Sequence, residues 1–446
     1  MTRFNLNLKQ ISLGIFSIAL MAIVFSMYTQ QIGLDGGFYL SIGRNLWQDH
    51  INYFNIASSY NPLGMMILGL PYSFSNCPVA LIYGLYFIFV ISDTILFFLI
   101  CRHFRDEKNQ ALLISSVFLL YTIFLDGHLI ILEPLQLFFI LIAVLLSLKE
   151  RYLFSGIFCF GAFLTKQYSL ALMLPLFLGI LINKNGFKIK FAQAANLILG
   201  FAGTLGLFYL CYAPDVNWQY FIQRMLGKVP ELVPSLSVLN GTGEGYGISV
   251  FISSFLKIAF FLPLIWIPLF TIKKNKNNLQ IIVLMISFCS VFLFAAYFHY
   301  FLLILPWMLL LLHTNLDLKN KKIKFMLYFL ILTPTFVFGL KTMRSKLIIS
   351  KLDRSISANL KETIPQNSKV YLVNVSMAQY AYNNYQSIDL KNIGYAFPNI
   401  IKKEAVIQAM PSGSYLIADD SYIGEDDRSQ FLLMKAYEGY SIYIKE

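Results

Sequence analysis

A chain interrupted repeatedly by apolar runs of bilayer length has few ways to fold, because inside lipid every backbone N–H and C=O must be satisfied within a helix or a closed barrel. Candidate spans fall at residues 11–29, 79–100, 111–125, 129–148, 152–165, 168–183, 192–213, 248–271, 279–297, 301–314 and 325–340, each bounded by charge or turn residues. At about 20 apolar residues per crossing, these make about eleven helices. Several are short, notably 152–165 with 168–183, and 301–314, the pattern of broken or tilted helices around a cavity. With 57% hydrophobic and 13% charged residues in 446, the chain is too apolar for a soluble protein of its size. It reads as a mainly α, polytopic membrane protein.

Orientation follows from Lys and Arg, which stay on the cytoplasmic side in short loops. With the N-terminus inside, the inner segments hold seventeen: Arg3, Lys9, Arg102, Arg105, Lys108, Lys149, Arg151, Lys184, Lys188, Lys190, Lys273, Lys274, Lys276, Lys319, Lys321, Lys322 and Lys324. The outer loops hold four: Arg44, Lys166, Arg224 and Lys228. This bias predicts a multi-pass protein of the plasma (inner) membrane, with its N-terminus cytoplasmic. The net charge of +12 therefore reflects topological anchoring, and no nucleic-acid partner is expected. The five cysteines lie in or beside apolar segments without CxxC or metal-ligand spacing and read as small hydrophobes. Residues 27–32 offer no small-x-small cleavage site, so the first run reads as a retained signal-anchor helix.

Two units are expected: a membrane domain over 1–340 and an extracytoplasmic domain over 341–446. The second gains charge, Asn and Ser, and alternates helical patterns (355–363, 400–410) with apolar strand-like runs (369–375, 414–418, 440–444), a small α/β domain. Two outer loops are long, 30–78 and 214–247, and long outer loops can build a surface site. In the second, residues 216–226 (VNWQYFIQRML) set Trp218, Phe221, Ile222 and Met225 on one side at helical spacing, as in an interfacial helix. The glycine-rich 240–247 (NGTGEGYG) lacks the Lys-Ser/Thr of a phosphate-binding P-loop and reads as a flexible loop.

Ionisable residues at span ends invite a functional reading, since polar groups at membrane depth are costly. Three sets converge on the outer face. The first is Asp35 with Tyr39, then Arg44, and later Tyr60 and Asn61 before Pro62-Leu63. Next come Asp126 and His128, then Glu133-Pro134, at the outer start of the fourth span. Lys166, at the tip of a short hairpin, and His299-Tyr300, at the outer junction of the ninth and tenth spans, complete the set. A carboxylate can take a proton from an acceptor hydroxyl, while Lys and His can hold a phosphate that gains charge as it leaves. Blander roles exist for each: Gly36-Gly37 is a turn signal beside Asp35, and Glu133 suits a helix N-terminus by charge alone.

The ordered motifs carry a family resemblance. Residues 35–63 run Asp, small residues, aromatic-Tyr-Leu, then Arg-Asn-Leu, Tyr-Phe and Tyr-Asn-Pro-Leu; this resembles the first outer loop of the GT-C membrane glycosyltransferases, which include protein mannosyltransferases and aminoarabinose transferases. Residues 126–139 (DGHLIILEPLQLFF) resemble the family's second acidic motif, and 163–167 (FLTKQ) and 297–306 (YFHYFLLILP) resemble later segments. The resemblance implies a GT-C-like fold, a polyprenyl-phosphate-linked sugar as donor, and inverting transfer to a glycan, lipid or protein acceptor at the outer face. It implies Asp35 as catalytic base or acceptor-positioning acid, Glu133 as the second acid, and Lys166 and His299 toward the donor phosphate. Tyr39, Arg44, Tyr60, Asn61, Asp126, His128 and Tyr300 are expected to bind substrate. Asn61 stands where many relatives have Lys or another polar residue, and His299 where some have Arg. Some relatives use a divalent metal beside the acids and others none; a divalent metal here would take Asp35 and Glu133, with Asp126 and water or donor phosphate filling its shell. The alternatives are a transporter or flippase of lipid-linked sugars, or an O-antigen ligase or polymerase. Against the flippase, the ionisable groups gather at one face rather than the midplane, and no inverted repeat is evident.

Overall fold

The computed structural model describes residues 8–29, 34–48, 50, 53–55, 61–74, 79–123, 125, 129–226, 252, 256, 276–289, 298–315, 358–365, 368–372, 387–389, 410–418, 429–437 and 440–446. Expected features at 240–247 and 325–340, and almost all of 248–271 and 400–410, lie outside the described residues.

The membrane part is a helical bundle. Its elements are α1 (Leu8–Thr29), α2 (Leu34–Trp47), α3 (Pro62–Gly69), α4 (Val79–Phe104), α5 (Lys108–Thr122), α6 (Glu133–Leu148), α7 (Tyr152–Thr165), α8 (Met173–Ile182), α9 (Phe187–Tyr212), α10 (Trp218–Met225), α11 (Lys276–Cys289) and α12 (Phe301–Asn315). Within α1, α4 and α9, the stretches Leu8–Met27, Ala80–Phe104 and Phe187–Tyr212 are long and apolar enough to cross a membrane; shorter apolar helices fill the bundle between them. Burial runs opposite to that of a soluble protein on the outer surface of the bundle. On α9, Phe187, Phe191, Leu199, Leu207 and Leu210 are exposed, and on α4 so are Leu81, Ile88 and Ile95. Water would penalise such a surface, whereas lipid is the solvent it suits.

The opposite face of α4 shows what holds the bundle together. Tyr83, Tyr86, Val90, Asp93, Phe97 and Cys101, spaced three and four apart, are all fully buried, where α4 packs against α5 and α6. Asp93 departs from the sequence expectation that ionisable groups avoid the midplane: it sits near the middle of α4 with neither carboxylate oxygen hydrogen-bonded among the described residues.

The region read from sequence as a long loop, 30–78, is largely helical. Two helices, α2 and α3, fold back on each other. Pro62 starts α3, where its missing N–H is no loss. Contact between the two is so close that a Cβ on Gly43 would lie 2.7 Å from both the Gly69 Cα and the Met65 carbonyl oxygen, so only glycine fits. Trp47 locks the pair by donating its indole N–H to the Met66 carbonyl at 2.8 Å. Hydropathy missed these helices because each is too short to register as a span.

The C-terminal strands form a mixed sheet in the order β2-β1-β3-β5-β4. They are β1 (Lys369–Leu372), β2 (Ser387–Asp389), β3 (Tyr415–Ala418), β4 (Phe431–Tyr437) and β5 (Tyr440–Lys445). β1 pairs in parallel with β2 and β3, while β5 runs antiparallel to β3 and β4. Of the expected strands, 369–372 of the first, 415–418 and 440–444 are strand, residues 373–375 lie outside the described residues, and residues 358–363 are helical. β2 and β4 were not anticipated; β4 is an edge strand with five consecutive exposed residues, so its burial does not alternate.

Candidate active site

The site is built where α6 begins and α7 ends. Glu133 is the first residue of α6 and is followed by Pro134, a sequence suited to a helix start that also places the carboxylate at the positive end of the helix dipole. α7 stops at Thr165, and Lys166 breaks it by adopting an extended backbone (φ −147°, ψ 132°). A 3-10 segment, Gln167–Leu172, then leads into α8. This break turns the chain at Lys166 instead of continuing the helix past it.

The two residues meet although 33 positions separate them: Lys166 Nζ donates to Glu133 Oε1 in an ion pair buried at both ends. His299, in the 3-10 turn Phe298–Tyr300 that precedes α12, brings Nε2 to 3.6 Å from the same oxygen. Two aromatic rings flank the ammonium, Tyr300 with its centroid 5.2 Å away and Tyr39 of α2 at 6.0 Å. Ring faces favour a cation at such distances. Tyr300 is itself held edge-on by His299 at 4.9 Å and by Tyr168 at 5.8 Å.

Neighbouring bonds fix these positions. Gln136, one turn after Glu133, donates to Ser169 Oγ at 2.6 Å and so ties α6 to the segment beyond Lys166. Asn61 does not cap α3 with its side chain; it donates Nδ2 to the Phe163 carbonyl at 2.6 Å, joining the first outer region to the end of α7. A Cβ on Gly64 would stand 2.6 Å from Leu132 and 3.0 Å from Thr165, so this glycine lets α3 approach the site.

Of the residues expected from sequence, the structure therefore brings together Tyr39, Glu133, Lys166, His299 and Tyr300, with Asn61 in the supporting layer. Arg44, in the last turn of α2, donates Nε to Gln48 Oε1 at 2.9 Å. Tyr60, Asp126 and His128 lie outside the described residues, as does the side chain of Asp35, whose backbone is in the first turn of α2. Sequence reading missed Gln136, Ser169 and Arg224. Arg224, counted only as a loop charge, is buried on α10 with its guanidinium 5.0 Å from the Tyr53 ring centroid. Its spacing of three from Phe221 was the available signal, since it puts a charge on the apolar side of that helix. That side inserts into protein: Phe221 and Met225 are buried, and Phe221 packs on Phe54 at 5.7 Å, while Trp218 stays half exposed.

The described neighbours of Glu133 do not form a hard-cation shell. An ammonium and an imidazole hold its oxygen where a metal would need further oxygen ligands.

No family model and no curated protein sequence matches the chain. Its fold is nevertheless that of solved ArnT structures. The crystal structure of ArnT from Cupriavidus metallidurans in the apo state superposes with a TM-score of 0.63 over 97% of each chain, at 12% identity. ArnT from the same organism bound to undecaprenyl phosphate gives 0.62 over the same shares, at 13% identity. At these identities the likeness establishes the architecture.

Proposed function

We propose that this protein is an integral membrane glycosyltransferase that moves a sugar from a polyprenyl-phosphate donor to an extracytoplasmic glycan, lipid or protein acceptor, with inversion at the transferred carbon. The observation that carries the reading is the buried group of Glu133, Lys166 and His299 beneath Tyr39 and Tyr300, placed at one end of a bundle with the GT-C fold. A structural relative that binds undecaprenyl phosphate supports the donor class. The positive-inside bias puts this end outside the plasma membrane and the N-terminus inside.

In the reaction, the acceptor hydroxyl oxygen attacks the sugar's anomeric carbon from the side opposite the phosphate, so the new bond has inverted configuration. The hydroxyl proton passes to the Asp35 carboxylate, the assigned base. The bond from the anomeric carbon to the phosphate oxygen breaks, and the phosphate departs with its electron pair. Lys166 and His299 stabilise that growing charge in a site shielded from water, where such contacts count most. Tyr39 supports the placement of the base: it lies one helical turn after Asp35, so their positions share one face of α2, the face whose Tyr39 ring flanks Lys166.

The test is transfer from a radiolabelled polyprenyl-phosphate-sugar pool, comparing membranes that contain the wild type with membranes that contain Asp35→Asn at matched expression. Loss of transfer with donor binding retained is expected. Undiminished transfer would remove Asp35 from the mechanism, and no transfer by the wild type would favour a flippase.

A further inference from the structure

The ion pair at the site is held in an unusual way. Apart from its own contact with His299, it is the one pair among the described residues with both partners fully buried. A buried carboxylate normally has its remaining lone pairs satisfied by further hydrogen bonds. Glu133 instead directs Oε1 at both Lys166 and His299, while Oε2, equally buried, has no side-chain partner among the described residues. Both ionic partners of this carboxylate are thus side chains that could turn to another anion. Lys166, by contrast, has supports that do not depend on Glu133, the rings of Tyr39 and Tyr300. If the carboxylate let go, the ammonium would keep its place.

We infer that Glu133 is a resident counter-anion that competes with a phosphate for Lys166 and His299, so that donor arrival displaces it and its return expels the product phosphate. This rests on the reading of the site as one that binds a polyprenyl phosphate. The charges give the exchange a direction. The donor phosphodiester carries one negative charge. Once the bond to the anomeric carbon has broken, the phosphate keeps the electron pair and becomes a monoester able to carry two, while the acceptor proton has gone to Asp35. Product therefore holds Lys166 and His299 more strongly than donor does, and without a competing carboxylate it would stay. Glu133 balances the charge of the site between turnovers and supplies the competitor that clears it.

The test measures binding of radiolabelled undecaprenyl phosphate to the full chain in lipid nanodiscs, with inorganic phosphate as a second probe and melting temperature as the check on folding. Glu133→Gln is expected to bind undecaprenyl phosphate about 5- to 100-fold more tightly than the wild type, the usual span of a coupling between two ligands. Glu133→Asp, whose shorter carboxylate reaches Lys166 less well, should fall between, and decides the question if the glutamine variant does not fold. Lys166→Met should bind weakly, and adding Glu133→Gln to it should restore nothing. Equal or weaker binding by folded Glu133→Gln overturns the exchange, as does a gain that persists in the Lys166→Met background. If the wild type binds inorganic phosphate with this pattern but not undecaprenyl phosphate, the exchange stands and the polyprenyl donor falls; if it binds neither, both fall.

Discussion

The two ends of the bundle bury polar groups by different rules. At the Glu133 end, charged side chains meet other side chains: Lys166 and His299 share one carboxylate oxygen. At the other end several of the buried bonds run to the backbone. His313, fully buried in the last turn of α12, brings Nε2 to 3.1 Å from the Cys101 carbonyl, and its own carbonyl accepts from Arg105 at 3.3 Å and from Gln110 at 3.0 Å. Asn278 of α11 donates to Asn315 Oδ1 at 2.8 Å, while Asn315 reaches back to the Leu311 carbonyl at 2.7 Å. A backbone carbonyl cannot leave its place without unwinding a helix, so this end is a latch joining α4, α5, α11 and α12. A carboxylate side chain can swing away, so the Glu133 end can trade partners with a ligand. The difference teaches where in one bundle to expect chemistry and where to expect only stability.

The largest effect should come from Lys166→Met. Loss of the cation that meets the leaving phosphate should lower transfer by about 10²- to 10³-fold. Stranding Glu133 should also destabilise the fold by about 3–5 kcal/mol, read as a fall in melting temperature. Retained transfer in this variant would make the Glu133 end a latch like the other. Adding Glu133→Gln to it should recover about 2–3 kcal/mol while leaving transfer low, since removing both members of a buried pair costs less than removing one. A double variant no more stable than the single would mean that the pair is not a unit.

Asp93 sharpens the comparison from the middle of α4. Both its oxygens are buried without a hydrogen bond, so Asp93→Leu should stabilise the protein by about 1–3 kcal/mol without lowering transfer. Lost transfer in a variant that melts higher would bring the midplane into the mechanism. The smallest effect belongs to the latch. Gln110→Ala removes one buried bond to the His313 carbonyl and should cost about 1 kcal/mol, with the donor KM unchanged.

How much of this was legible in the sequence depends on the range of the signal. Membrane helices were readable because each is a continuous local run, and residues 152–165, 301–314 and the break near Lys166 match α7, α12 and the start of the 3-10 segment within a residue or two. Glu133, Lys166 and His299 stood out as ionisable groups at span ends, costly unless used. The helices α2 and α3 did not stand out, because fourteen and eight residues that pack on a neighbour leave no span-length apolar run. Arg224 was hidden by the assumption that a loop charge is solvated, whereas α10 turns it inward over Tyr53. In the C-terminal strands, β3 was found by its apolar run, while β4 was missed because its exposed apolar residues break the alternation that marks a half-buried strand.

The sequence by itself determined the solvent of this protein, the order of its helices and the side chains available for chemistry, since hydropathy and residue type are local properties of the chain. Only the tertiary structure decided that Glu133, Lys166 and His299 share one oxygen between two tyrosine rings, while His313 and its neighbours close the opposite end through the backbone. Those pairings join residues far apart in the chain, and they depend on how helices cross, on glycines that let α3 approach, and on where α7 breaks. Local patterning sets none of these, because each is settled by the contacts between elements.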